Sequence, residues 1–232
     1  KGYIDGVEYT IIDEATLREM VANDEDVTKV VTSKITNFEN LFYENTVFNQ
    51  SIGSWDTSNV TNMNRLFSKS SFNQPIDSWD VSNVTTMWDT FYGTSFSQDI
   101  SNWDVSNVSV MQGTFAYSSF NQDISNWDVS NVTNTYLMFW ESEFNKSLNE
   151  WDVSNVTNME GMFLGATSFN QDISDWDVNN VTNMTGMFRQ ASSFNQDLSS
   201  WCVTNLTTAP TDFDTGATAW TLPKPIWGTC PE

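Results

Sequence analysis

Carboxylates recur down this chain at a fixed interval. Asp56, Asp80, Asp104, Asp128, Asp152 and Asp177 stand 24 or 25 residues apart. Three kinds of chemistry suit such a column. Two carboxylates facing each other across a cleft hydrolyse glycosidic bonds. Closely spaced carboxylates hold a hard cation such as Ca²⁺, and Asp80, Asp104, Asp128 and Asp152 would form that ladder. An Asp can also accept from the backbone N–H two residues on and fix a turn. Only the third use explains why each Asp is followed by x-Ser-Asn or x-Asn-Asn. Turn capping is therefore the preferred reading, with Ca²⁺ the one cofactor left open and no metal assigned. Hydrolysis is disfavoured, since every Asp has five equivalents and an active site needs asymmetry. We expect no catalytic residue and no enzyme.

Other polar columns run at the same interval. Asp99, Asp123, Asp172 and Asp197 form a second Asp column, interrupted by Ser51, Pro75 and Ser147. Asn59, Asn83, Asn107, Asn131, Asn155, Asn180 and Asn205 each begin Asn-x-Ser/Thr, formally a glycosylation acceptor. Their fixed phase favours a structural Asn ladder instead.

Asymmetry enters with Trp88, Tyr92, Tyr117, Tyr136 and Trp140, which stand where other repeats hold small or polar residues, with Glu141 and Glu143 beside them. Exposed, this aromatic set could stack on sugar rings or meet a protein. The alternative is local gap filling, where Thr135 replaces the usual Met.

Composition closes several routes. Nine Lys and Arg against 30 Asp and Glu give a formal net charge of −21. Phosphate neutralisation needs clustered cations, so a nucleic-acid partner is excluded, and docking on anionic lipid is disfavoured. The chain has no His, which removes the commonest general base and metal ligand. No apolar run approaches the roughly 18–20 residues of a membrane helix, so no membrane insertion is expected. The start at Lys1, without Met or an apolar leader, suggests a mature or excised piece. Oligomeric state is not legible.

The elements that must position these residues are repeats. Trp falls at 55, 79, 103, 127, 151, 176 and 201, and Phe columns run in step with it. In Ile100-Ser101-Asn102-Trp103-Asp104-Val105 the apolar residues fall at i, i+3 and i+5, the spacing of a leucine-rich-repeat strand. Val108, Met111 and Phe115 then fall at i, i+3 and i+7, a short helical stripe. The expected fold is an α/β repeat: a right-handed leucine-rich-repeat-like solenoid with one short strand and one short helix per coil, capped at both ends. The Trp column belongs to its core. On the strand face Asn102, Asp104 and Ser106, with Asn126, Asp128 and Ser130 one coil on, should point outward to a partner.

Residues 1–34 break the period and suit an N-terminal cap of strand plus helix. The repeats then occupy 35–209, and 210–232 form a C-terminal cap. Cys202 takes the Asp position in the last repeat and Cys230 lies in the tail. A disulfide would staple that tail over the last coil, adding about 3–4 kcal/mol. The alternative is two free thiols. Disulfide use points outside a reducing cytosol.

The phrase Asn121-Gln122-Asp123-Ile124-Ser125-Asn126-Trp127-Asp128-Val129-Ser130-Asn131-Val132-Thr133-Asn134, flanked by Phe120, resembles the BspA-like family of bacterial surface proteins. The stretches Val21–Thr28 and Trp227–Pro231 look like the flanks of such arrays in marine Bacteroidetes. The resemblance implies a secreted or cell-surface module for adhesion or binding, with a protein or glycan as partner and no shared active site. The first expectation is adhesion through the acidic Asp/Ser/Asn strand face. Carbohydrate binding by the aromatic set is the alternative.

Overall fold

The computed structural model describes residues 2–4 and 7–231. Lys1, Asp5, Gly6 and Glu232, which fall within the expected terminal segments 1–34 and 210–232, lie outside the described residues. Strand β1 (Gly2–Ile4) pairs antiparallel with β2 (Val7–Ile11), and β2 pairs parallel with β3 (Val30–Val31). Between β2 and β3 runs helix α1 (Glu14–Ala22). Asp13 caps it by accepting the Thr16 N–H at 2.9 Å, and Glu14 lies in its first turn, at the positive end of the dipole. Leu17 and Val21 bury its inner face in the core that continues through the repeats. Among the described residues no helix is long and apolar enough to cross a membrane.

At residue 37 the chain enters a tandem repeat whose units pair in parallel. Bridges join Asn37 to Asn62, then Thr86, Val110, Asn134, Asn158 and Asn183 in succession. The period seen in the sequence is thus the spatial register. Residues one period apart lie beside each other. Trp79 stacks on Trp103 with ring centres 6.4 Å apart and planes 2° from parallel, and Phe91 stacks on Phe115 at 5.6 Å. Each indole also donates its Nε1–H to the preceding unit: Trp103 to the Ile76 carbonyl at 3.0 Å, Trp127 to that of Ile100 at 3.1 Å.

The expected strand and helix of each coil are not what forms. Among the described residues the repeats contain neither a helix nor a strand longer than a bridge. Over Ile100–Val108 two tight turns follow each other. Trp103 N–H donates to Ile100 and Val108 N–H to Val105. The apolar residues mark turn corners, all buried, and so reproduce the strand-like spacing without an extended backbone. In the next segment the helical stripe is mimicked by a ladder of turns. Leu66, Ser68 and Ser70 donate to the carbonyl three residues back, while Met63, Arg65, Phe67 and Lys69 donate across to Thr86, Trp88, Thr90 and Tyr92. Positions 65 and 69 have φ of 53° and 56°, and the left-handed conformation recurs at 89 and 93 and at 113 and 117. A left-handed residue every fourth position breaks an α-helix. The freed N–H groups then find partners in the neighbouring unit.

At the far end, Cys202 and Cys230 form a disulfide, 28 residues apart in sequence. The tail it anchors also accepts from the last repeat: Val203 N–H donates to Thr229 and Leu198 N–H to Pro223.

Candidate functional site

The turn ladder sets the positions of the aromatic set. Each left-handed N–H donates to a carbonyl in the next unit: Arg65 to Trp88, Lys69 to Tyr92, Gly113 to Tyr136 and Tyr117 to Trp140. Trp88 is fixed further, since its N–H donates to Asn64 Oδ1 at 3.0 Å. Four of the five aromatics, Trp88, Tyr92, Tyr136 and Trp140, line one concavity of about 320 Å³. They come from units two apart. The unit between contributes only Gln112, Gly113 and Ala116 to the lining, so no large side chain fills the space. Tyr117 of that unit is 46% exposed and packs edge-on against Tyr92 at 5.6 Å and Trp140 at 4.5 Å. The five aromatics are therefore one cluster at the surface.

Polar groups complete the groove. The Arg65 guanidinium lies 4.1 Å from the centre of the Trp88 ring and 3.4 Å from Asp89 Oδ2. Lys69 Nζ is 2.9 Å from Glu44 Oε1 and 5.7 Å from the centre of the Tyr43 ring. Asp89 is largely withdrawn from water. Burial raises its pKa above the ordinary aspartate value, opposed by its hydrogen bond and attraction to Arg65. Gly113 makes room for it: at φ 59°, a Cβ there would stand 2.1 Å from Asp89 Oδ1. Burial also raises the Tyr117 pKa, with a smaller push from Glu141. A second concavity of about 280 Å³ shares Tyr136, Leu137 and Trp140 and continues to Arg189, which pairs with Asp212 at 3.4 Å.

Tyr43, Arg65, Lys69 and Asp89 were not singled out in the sequence. A signal existed: they neighbour or occupy the two left-handed columns, whose period is marked by Gly93, Gly113, Gly161 and Gly165 and which charged residues share at Glu44, Arg65, Lys69, Asp89 and Glu141. Glu141 and Glu143 are exposed, and neither lines the groove.

The acidic face is built differently. Asn102, Asp104, Asn126 and Asp128 are exposed, and Ser106 and Ser130 half-buried. Oδ1 of Asp56, Asp80, Asp104, Asp128, Asp152 and Asp177 accepts the backbone N–H two residues on at 3.0–3.2 Å. Hydrogen bonds from the Ser hydroxyl and backbone lower the pKa of Asp80 and Asp128. Asn83, Asn107, Asn131, Asn155 and Asn180 each donate Nδ2 to a carbonyl of the preceding unit at 2.7 Å. Among the described residues no group of three or more His, Cys, Asp or Glu is placed to hold a metal.

No curated protein and no solved structure matches the chain. Residues 14–119, 71–152 and 116–221 each match one family, described as "Mycoplasma protein of unknown function, DUF285". These overlapping matches follow one another along most of the chain, as expected of a tandem repeat, and the protein belongs to that family.

Proposed function

We propose that the protein is a non-enzymatic binding module, secreted or held at a cell surface, that takes a glycan in its aromatic groove. One observation carries the reading: Trp88, Tyr92, Tyr136 and Trp140 line the same concavity, although 52 residues of sequence separate the first from the last. Aromatic faces flanking a space above Gly113 and Ala116 suit the apolar faces of sugar rings, and Asp89, Arg65 and Gln112 suit their hydroxyls. Asp89 is the single carboxylate among the lining residues, which supports binding over hydrolysis, a reaction that uses two. The finer fold assigned to this module is a right-handed, leucine-rich-repeat-like solenoid of the BspA type, its ends closed by residues 1–34 and 210–232.

A glycan array on the wild type and on Trp88→Ala/Trp140→Ala tests this. We expect the variant to lose at least about tenfold in affinity, matching roughly 1.4 kcal/mol of lost stacking. Equal binding by both proteins, or binding by neither, retires the proposal.

Exposure of Asn102, Asp104, Asn126 and Asp128 favours a second reading, adhesion to a protein through the acidic face. One oxygen of Asp104 and of Asp128 is already engaged in the fold's own turns, as are the neighbouring amides of Asn107 and Asn131, which leaves less for a partner.

A further inference from the structure

Resting on the glycan reading, we infer that the ligand is acidic, a uronate or sulfated oligosaccharide whose anionic group is met by Arg65 and Lys69. The charge distribution carries the inference. The chain has nine cations in 232 residues, yet two of them share a lining that contains one carboxylate. With Arg65 and Lys69 matched by Asp89 and Glu44 the groove is close to neutral in a molecule of net charge −21, and screening over about 8 Å at physiological salt separates it from the distant acidic surface, so an anion is repelled less here than elsewhere.

The two cations are also available. Their side chains are 37% and 48% exposed, and Lys69–Glu44 is a weak surface pair. An incoming carboxylate or sulfate can replace Glu44 on Lys69 at little cost, and Arg65 can keep the half-buried Asp89 on its Nε–H while its terminal nitrogens meet the anion. The guanidinium of Arg65 already lies over Trp88, so a sugar reaching that ring meets a planar donor set suited to two-point recognition of an oxyanion.

The test uses calorimetric titration of the whole chain with a panel of oligogalacturonate, oligomannuronate and sulfated oligogalactan, each paired with its esterified or desulfated form. We expect at least one acidic member to bind about tenfold or more tighter than its neutral counterpart. Arg65→Gln/Lys69→Gln should bring the acidic form to the level of the neutral one, and Trp88→Ala should weaken both. Equal binding of the acidic and neutral forms overturns the charge inference and leaves the glycan reading standing. Binding of no member overturns both. The acidic-to-neutral comparison on the wild type decides the matter even if the double variant fails to fold.

Discussion

An indole nitrogen explains why tryptophan fills a column that leucine would satisfy on hydrophobicity alone. Each Trp is 3% exposed or less, and its Nε1–H reaches a carbonyl of the preceding unit, so one side chain supplies both core volume and a hydrogen bond between units. Trp103→Phe keeps an aromatic ring but deletes the donor and leaves a small void. It should lower unfolding free energy by about 1–3 kcal/mol, measured by chemical denaturation. An unchanged midpoint would mean that the indole bond contributes nothing. That the column is buried was legible from its register with Ile100 and Val105. The hydrogen bond was not, because its acceptor lies 27 residues away and depends on the turn at Ile76.

The Asp column also acts one residue at a time. Asp80 and Asp128 have lowered pKa values, because Ser82 and Ser130 hydrogen-bond to their charged forms. A carboxylate with a depressed folded-state pKa stabilises above its unfolded value, near 3.9, and loses that contribution as pH falls through the folded value. Asp80→Ala/Asp128→Ala should therefore melt roughly 2–8 °C below wild type at pH 7. The gap should narrow once pH drops below the ordinary aspartate range. The variant carries −19 against −21, so the repulsion that acid relieves differs between the two proteins by only two charges. A gap that stays constant down to pH 2 would contradict a role for the charged form.

At the scale of the element, the turn ladder is the feature that sequence patterning misassigned. Val108, Met111 and Phe115 carry helical spacing, yet left-handed residues at 113 and 117 divert every second N–H to the next unit. Apolar periodicity reports which residues face the core. It does not report where the backbone hydrogen bonds go, and here inward-facing turn corners imitate both strand and helix. The aromatic set was legible as a break in the repeat, whereas its convergence with Arg65, Lys69 and Asp89 depends on this ladder. Gly113 tests the ladder directly. Gly113→Ala places a Cβ in the left-handed region and against Asp89, and should cost about 1–3 kcal/mol. In an Asp89→Ala background the same change should cost measurably less, because only the backbone strain remains. Equal costs in the two backgrounds would show that Asp89 does not rest on Gly113.

At the scale of the whole molecule, the account depends on units set side by side, each burying the edge of the one before it. The disulfide and the terminal helix belong to this scale as well, since Cys230 ties the tail to the last repeat and Leu17 and Val21 join the core at the first. Every column, from the tryptophans to the groove, exists only if residues one period apart are neighbours. Paired cysteines read this out. Ser109 N–H donates to the Thr85 carbonyl at 3.0 Å, so their backbones lie about 4.8 Å apart, within reach of a disulfide. Thr85 and Thr133 lie about twice as far apart, beyond it. We predict that oxidised Thr85→Cys/Ser109→Cys gives the cross-linked peptide by mass spectrometry of a digest, while Thr85→Cys/Thr133→Cys does not. Failure of the first pair to link, or equal linking of the second, would contradict the register on which the fold and the groove both rest.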